Sequence, residues 1–396
     1  MKYKFFTIIL IVLAACAAAG CNTTSVRSTQ YTSTVTTDEP ISENELLDVG
    51  INIFHPGVDI QDREEEGVFP EVRAAEARFM PYKLMETLQM TGNWGVVRVI
   101  PGKQSEMDVW VDAEILHSDG ETLELAVKVS DSTGKVWYTR KYDETASKYA
   151  YDIRNSKRTD PFQGIYNKIS NDMLAYRRGI SSADTVSIRT VTELRFAQRF
   201  SPEAFTDYLQ EDDKGNITVL RLPAGNDPLL QRIRRIRERD YMFVDTLQEY
   251  YGSFVQEMEE PYQAWRSETY FETMALRETR QAANAKLLGG VAAVVAGILG
   301  AASGSDLGRA AGYVGVGAGA YLVKEGLGER EEAKMHAEAL RELGVSLNAE
   351  VQPHTIDLED RSITLSGTVD DQYGQWRAIL REIYQTETGQ SLPVTN

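Results

Sequence analysis

Val109-Trp110-Val111-Asp112-Ala113-Glu114-Ile115, followed after a Ser118-Asp119-Gly120 turn by Leu123-Glu124-Leu125-Ala126-Val127-Lys128-Val129, decides the fold class. Val109, Val111, Ala113 and Ile115 fall on one side of an extended chain, and so do Leu123, Leu125, Val127 and Val129. Their partners are mostly polar or charged, the period-two pattern of a sheet with one wet face. Two further runs, Trp94 to Ile100 and Val136 to Tyr142, read as strands. Pro101-Gly102 and Asp131-Ser132-Thr133-Gly134 supply turns between them.

Upstream, Leu46 to Phe54 is a strand-like run closed by His55-Pro56-Gly57. An acidic loop follows, and Pro70 opens a helix to about Met90. Val72, Ala75, Phe79, Leu84, Leu88 and Met90 form its apolar stripe, and Pro81 is expected to kink it. The order β-α-β-β-β-β predicts an α/β sandwich with a mostly antiparallel sheet over residues 43–147. Element order and the phrase Ser105 to Val111 resemble the small α/β domains of bacterial envelope lipoproteins, such as transport-auxiliary and curli-secretion lipoproteins.

Residues 148–285 are expected to be mainly helical. Pro161 to Arg177 and Ala183 to Phe200 carry apolar residues at three-to-four spacing. Asn226-Asp227-Pro228 is a helix start. From there Leu229, Ile233, Ile236, Phe243, Leu247, Tyr250, Phe254, Met258, Tyr262 and Trp265 recur, with one gap near Asp240 and an expected break at Pro261. Nine aromatics between Tyr241 and Phe271 read either as a packed seam or as a partner-binding or membrane-interface stripe.

Leu287 to Ser305 has no charge, Asp306 and Arg309 interrupt, and Ala310 to Val323 is again uncharged. Small residues recur every four positions: Gly289, Ala293, Gly297 and Ala301, then Gly304, Gly308 and Gly312, and in another register Ala311, Gly315 and Gly319. On a helix this spacing lets two backbones approach closely. The segment resembles the glycine zippers of bacterial envelope proteins. A hydrophobic hairpin over 286–328, used for helix packing or oligomerisation, is expected. It can be read as inserted in a membrane or as a soluble packed core. Gly315 to Ala320 formally fits G-x-G-x-x-A, but no strand precedes it, which argues against a nucleotide loop.

Residues 329–396 carry a charged helix, then strands at Ser346 to Val351, Thr355 to Leu358 and Ser362 to Val369, then a helix from Gln372 to Tyr384. Ile363-Thr364-Leu365-Ser366-Gly367-Thr368-Val369 before that helix resembles the BON domain, an envelope module associated with phospholipid surfaces. Gly367 suits a tight approach at the strand end, and Trp376 is expected in the core. Where the BON pattern has a final strand, this chain runs Thr386-Glu387-Thr388-Gly389 into Pro393. The fold class is therefore α+β: an N-terminal sandwich, a long helical middle with a glycine-zipper hairpin, and a small C-terminal α/β module.

The N-terminus gives the location. Lys2 and Lys4, the apolar run Phe5 to Leu13, and the small residues Ala14 to Gly20 form a secretory signal, expected over 1–21. Ala18-Ala19-Gly20-Cys21 resembles the lipobox of bacterial lipoproteins, and Leu13-Ala14-Ala15-Cys16 is an alternative. The resemblance implies an acylated, palmitate-bearing N-terminal cysteine, Cys21 or else Cys16, as the contact with membrane lipid. The same resemblance implies a location: with Asn22 after Cys21, or Ala17 after Cys16, rather than Asp, the outer membrane is expected, with the body in the periplasm. Residues 22–42 are rich in Ser and Thr and read as a tether.

Composition supports this placement. The formal charge of −17 argues against nucleic acid as a partner. With Cys16 and Cys21 the only cysteines, no disulfide or thiolate metal site is expected in the body. His55, His117, His336 and His354 stand in no metal-ligating spacing, and no nucleophile elbow or P-loop occurs. A non-enzymatic envelope component without cofactor or metal is expected, binding envelope proteins or itself through the zipper. A transport or secretion pore, with zipper hairpins oligomerised in the membrane, is the alternative.

Labelled palmitate should enter the wild-type chain and be absent when Cys16 and Cys21 are both changed to Ala. An unlabelled wild type would sink the lipoprotein assignment.

Overall fold

β1 (Val49–Asn52) is short and buried along its whole length. It is followed by α1 (Pro70–Thr91) and then β2 (Val97–Ile100). A strand–helix–strand unit returns its second strand parallel to the first, and β1 and β2 pair in parallel with Val49 opposite Val97. β3 (Val109–Ser118) pairs in parallel with the other side of β1, Val49 opposite Val109. β3, β4 (Thr122–Asp131) and β5 (Val136–Thr145) then form a long antiparallel meander. The sheet order is β2-β1-β3-β4-β5. The sheet is thus mixed: the long ladders are antiparallel, as the sequence implies, while both pairings of β1, to β2 across the α1 crossover and to β3, are parallel.

The computed structural model describes residues 32–37, 41–57, 70–100, 106–147, 149–151, 160–300, 354–357 and 362–388. The signal segment, the charged helix expected after Glu329, and the strand expected at Ser346 to Val351 lie outside them.

Val109, Val111, Ala113 and Ile115 are buried, as are Leu123, Leu125, Val127 and Val129. On β4 the intervening Glu124 and Lys128 are exposed, so the wet face predicted by alternation is present there. Gly134 closes the β4–β5 turn with φ +85°, a conformation that favours glycine. α1 continues through Pro81. Helices α2 (Gln163–Arg177) and α3 (Ser182–Phe200) follow the meander within two residues of their expected starts. Ser181 caps α3, its Oγ accepting from the Asp184 N–H at 3.1 Å. A small hairpin, β6 (Leu209–Glu211) and β7 (Ile217–Val219), sits in a stretch expected to be helical. Its two strands are too short for alternation to show; the Asp212-Asp213-Lys214-Gly215 turn between them was the available signal.

α4 (Pro228–Gly300) is one helix of 73 residues. It does not break at Pro261, contrary to expectation. Proline there removes one backbone bond, but the adjacent Met258, Tyr262 and Trp265 are all buried, and their packing offsets the loss. Nor does it pause at the expected 285/286 boundary. After residues outside the description, β8 (His354–Asp357) and β9 (Ser362–Leu365) pair antiparallel and lead into α5 (Val369–Thr388). Gly367 joins them with φ +99°, and Trp376 is buried, both as the sequence suggests.

One contiguous apolar cluster runs from Leu47 on the sheet through Phe196 and Phe243 to Tyr384 on α5. Segments expected as separate modules therefore share a core. Residues 32–37 of the expected tether also lie against the body, held by Asn93, Asn167 and Asn171.

β2 is an edge strand, yet all four of its residues are buried. Its outward backbone groups must therefore be paired by something other than a strand. Gln248 of α4 provides the pairing: the Val99 N–H donates to its Oε1 at 2.9 Å, and its Nε2 donates to the Val99 carbonyl at 2.9 Å. Gln89 Nε2 of α1 donates to the Val97 carbonyl at 3.0 Å. Gln248→Leu keeps the bulk but orphans a buried N–H and C=O. It should lower unfolding free energy by about 1–3 kcal/mol in urea titration, whereas a change within error would show that the edge is paired otherwise.

Candidate functional site

The apolar phase of α4 has charged residues within it. Asp240 occupies the gap noted in the sequence pattern and Arg266 follows Trp265, and both side chains are fully buried. A charge taken out of water needs a partner with good geometry. Arg266 Nη1 donates to both carboxylate oxygens of Asp160 at 3.0 Å. Its guanidinium lies 3.7 Å from the centre of the Tyr262 ring, with Phe162 at 5.3 Å and Phe79 at 5.7 Å. Burial opposes the charged form of Arg266, but Asp160 and the surrounding tyrosines outweigh it and hold its pKa well above the ordinary arginine value.

Beside this pair, the Tyr262 hydroxyl donates to Glu76 Oε1 at 2.6 Å, and Ser118 Oγ donates to the same oxygen at 2.5 Å. Arg73 stands 3.7 Å from the other oxygen. Here α1, the end of β3 and α4 are tied together. The β3–β4 turn presses on the helix at this level, where a Cβ on Gly120 would collide with the Arg266 carbonyl and the Tyr270 N–H. The Ser118-Asp119-Gly120 turn signal therefore also marks a helix contact.

At the other end of the packed stretch, Arg377 of α5 donates to Asp240 Oδ2 at 2.9 Å. Burial raises the Asp240 pKa despite the opposing pull of Arg377. The Phe243 ring lies parallel to Tyr373 at 6.4 Å and near Trp376 at 5.3 Å. Between the two buried pairs, Arg98 of β2 forms a fork with Asp245, Nε at 2.6 Å and Nη2 at 2.9 Å. The Tyr241 ring has Arg98 at 4.5 Å and Arg237 at 5.0 Å. Phe243, Tyr251, Phe254, Tyr262, Trp265 and Tyr270 are buried, so the aromatic run is a packed seam against the body. Phe271 is half exposed at the end of the seam.

The packed part of α4 thus runs from Leu230 to Tyr270, about 60 Å of axis, and the helix continues a further ~45 Å to Gly300. Gly289 and Gly297 lie on that continuation. Gly304, Gly308, Gly312, Gly315 and Gly319 lie outside the described residues, as do Cys16 and Cys21. Among the described residues no helix is long and apolar enough to cross a membrane.

A groove of about 340 Å³ between α3 and the β6–β7 hairpin is lined by Glu106, Arg195, Arg199 and Glu211. Its buried carboxylate, Glu106, is already held by Arg195 at 3.3 Å and by Arg199. Asp108 is buried with Asp48 nearby, and burial followed by that like charge raises its pKa. Its oxygens accept from Thr192 Oγ1 at 2.6 Å and the Asp48 N–H at 3.0 Å, which makes it a staple between β3, α3 and the start of β1. Among the described residues no cluster of three or more His, Cys, Asp or Glu could hold a metal. Comparison of the chain with protein-family models, curated proteins and solved structures finds no match.

The geometry describes a long helix gripped along its first half and carrying a glycine-rich run at its far end. The grip has a measurable signature. Arg266→Met leaves the buried Asp160 carboxylate without its cation and should cost about 3–5 kcal/mol in thermal or denaturant unfolding. Adding Asp160→Asn should recover part of that loss. Equal stability of Arg266→Met and wild type would remove the pair from the anchoring role.

Proposed function

We propose that the protein is a non-enzymatic cell-envelope lipoprotein, anchored through an acylated Cys21 (or Cys16), that serves as a structural or accessory component of an outer-membrane-associated assembly. The observation that carries this reading is the continuity of α4. The same helix is fixed to the body by Arg266–Asp160, Gln248–Val99 and Asp240–Arg377 and extends to Gly300. Residues Leu287 to Gly300 begin the charge-free, glycine-rich run. A rigid body and a close-packing segment on one rod suit a part that transmits position to a partner helix or to a second copy of itself.

The C-terminal β8–β9–α5 unit supports the same reading. In isolation a two-stranded hairpin and one helix bury little. Here Val369, Tyr373, Trp376, Leu380 and Tyr384 are buried, with Phe243 and Phe200 among the rings they meet. The BON-like unit is thus built into the base of the rod.

Fractionation tests the anchor. With Cys16→Ala and Cys21→Ala together behind a cleavable signal, the protein should move from the membrane fraction to soluble periplasm. Retention in membranes after carbonate extraction would overturn the purely lipid-anchored model and place the glycine-rich segment in the bilayer, as a pore component requires.

A further inference from the structure

Thr32 to Thr37 has few large apolar side chains with which to hold itself to a surface, yet its backbone is bound to the body at Thr32, Ser33, Val35 and Thr37. Asn167 Nδ2 donates to the Thr32 carbonyl at 2.7 Å. Asn171 Nδ2 donates to the Ser33 carbonyl at 2.9 Å, and its Oδ1 accepts from the Val35 N–H at 2.7 Å. Asn93 Nδ2 donates to the Val35 carbonyl at 3.0 Å, and its Oδ1 accepts from the Thr37 N–H at 3.2 Å. The last two contacts are one motif repeated two residues along: an amide bridging the carbonyl of residue i and the N–H of residue i+2. That is how a side-chain amide grips an extended main chain; one side chain joins in, the Thr37 hydroxyl donating to Asn93 Oδ1 at 3.3 Å.

The row has its own supports within the body. Asn167 and Asn171 are one turn apart on α2, and Gln163 Nε2 fixes Asn167 by donating to its Oδ1 at 3.0 Å. Asn93 is fully buried and follows the end of α1, its N–H donating to Thr91 Oγ1 at 3.3 Å. Ser33, Val35 and Thr36 turn their side chains outward and are exposed.

We infer that Asn93, Asn167 and Asn171 form a binding groove for an extended main chain, and that its occupant is this protein's own Thr32–Thr37. The N-terminal linker is then a docked strap and not a free spacer. Its consequence for the membrane rests on the lipid-anchor reading above. From Cys21 to Thr32 the chain reaches about 40 Å at most, against about 75 Å from Cys21 to Ser42 with the strap released. Docking therefore halves the reach and turns the α2 side of the body toward the lipid.

The groove is testable in the soluble full chain carrying Cys16→Ala and Cys21→Ala, so that its outcome is separate from lipidation. Amide exchange resolved by residue should show Val35 and Thr37 exchanging about tenfold or more slowly than Thr34 and Thr36. Asn171→Ala should abolish the protection of Val35, and replacing Ser33, Val35 and Thr36 together by Ala should leave the protection at positions 35 and 37 intact. Uniformly fast exchange from 34 to 37 would overturn the groove, and loss of protection in the triple variant would overturn main-chain recognition. If the alternating protection is present but palmitate is not incorporated, the groove stands and the lipid-anchor reading fails.

Discussion

The exposed edge of a β-sheet is a row of unpaired backbone groups, and most of this molecule is arranged around covering one such edge. β2 ends the sheet beside β1, where its outward N–H and C=O groups are buried. Among the described residues no further strand pairs with them. α4 lies there instead, with Gln248 supplying donor and acceptor to Val99 and Asp245 holding Arg98. Once the helix has this position, its length carries it past the sheet in both directions. One end receives α5, and the other extends away toward the glycine-rich run. The opposite edge, β5, is handled differently: Arg140 and Lys141 are exposed on it, and Lys168 of α2 caps the Asp143 carbonyl at 3.2 Å.

Such a helix could slide or roll if apolar contacts alone held it, since packed ridges permit neighbouring registers. Two buried ion pairs remove that freedom. Arg266 must meet Asp160, and Asp240 must meet Arg377, because a shift of one turn would leave four charges buried and unpaired. We read these pairs as register devices more than as net sources of stability. Glu76 adds a third fixed point through Tyr262 and Ser118. These contacts fix the register of the packed part of α4 against the sheet. The Asn-held strap applies the same logic at the other terminus, replacing a loose linker with a bonded one.

Much of this was legible because it rests on local periodicity. The alternation of Val109 to Ile115 and Leu123 to Val129 gave two strands and their buried faces. The Asn226-Asp227-Pro228 start gave the first turn of α4, and Ser181 and Asp184 cap α3 within two residues of its expected beginning. The gap at Asp240 was visible too, but as a flaw in an apolar pattern. Its meaning depended on Arg377, 137 residues away. Likewise nothing near Asn93, Asn167 or Asn171 marks them as a row, since they come together only when α1 and α2 pack. Pro261 misled because a helix break is a local preference, and burial of Met258, Tyr262 and Trp265 outweighed it.

The sequence by itself determined the long strands and most of the helices, the α+β class and the chemical contrast between an acidic body and a neutral glycine-rich run. Those follow from spacing, turn chemistry and composition, which act over a few residues. Tertiary structure decided that β1 is central with parallel neighbours, that α4 closes the sheet edge, and that residues 32–37 are bound. Each of these depends on which backbone and charged groups remain unpaired once the elements meet, and that demand is set by the assembled fold and not by any one segment of it.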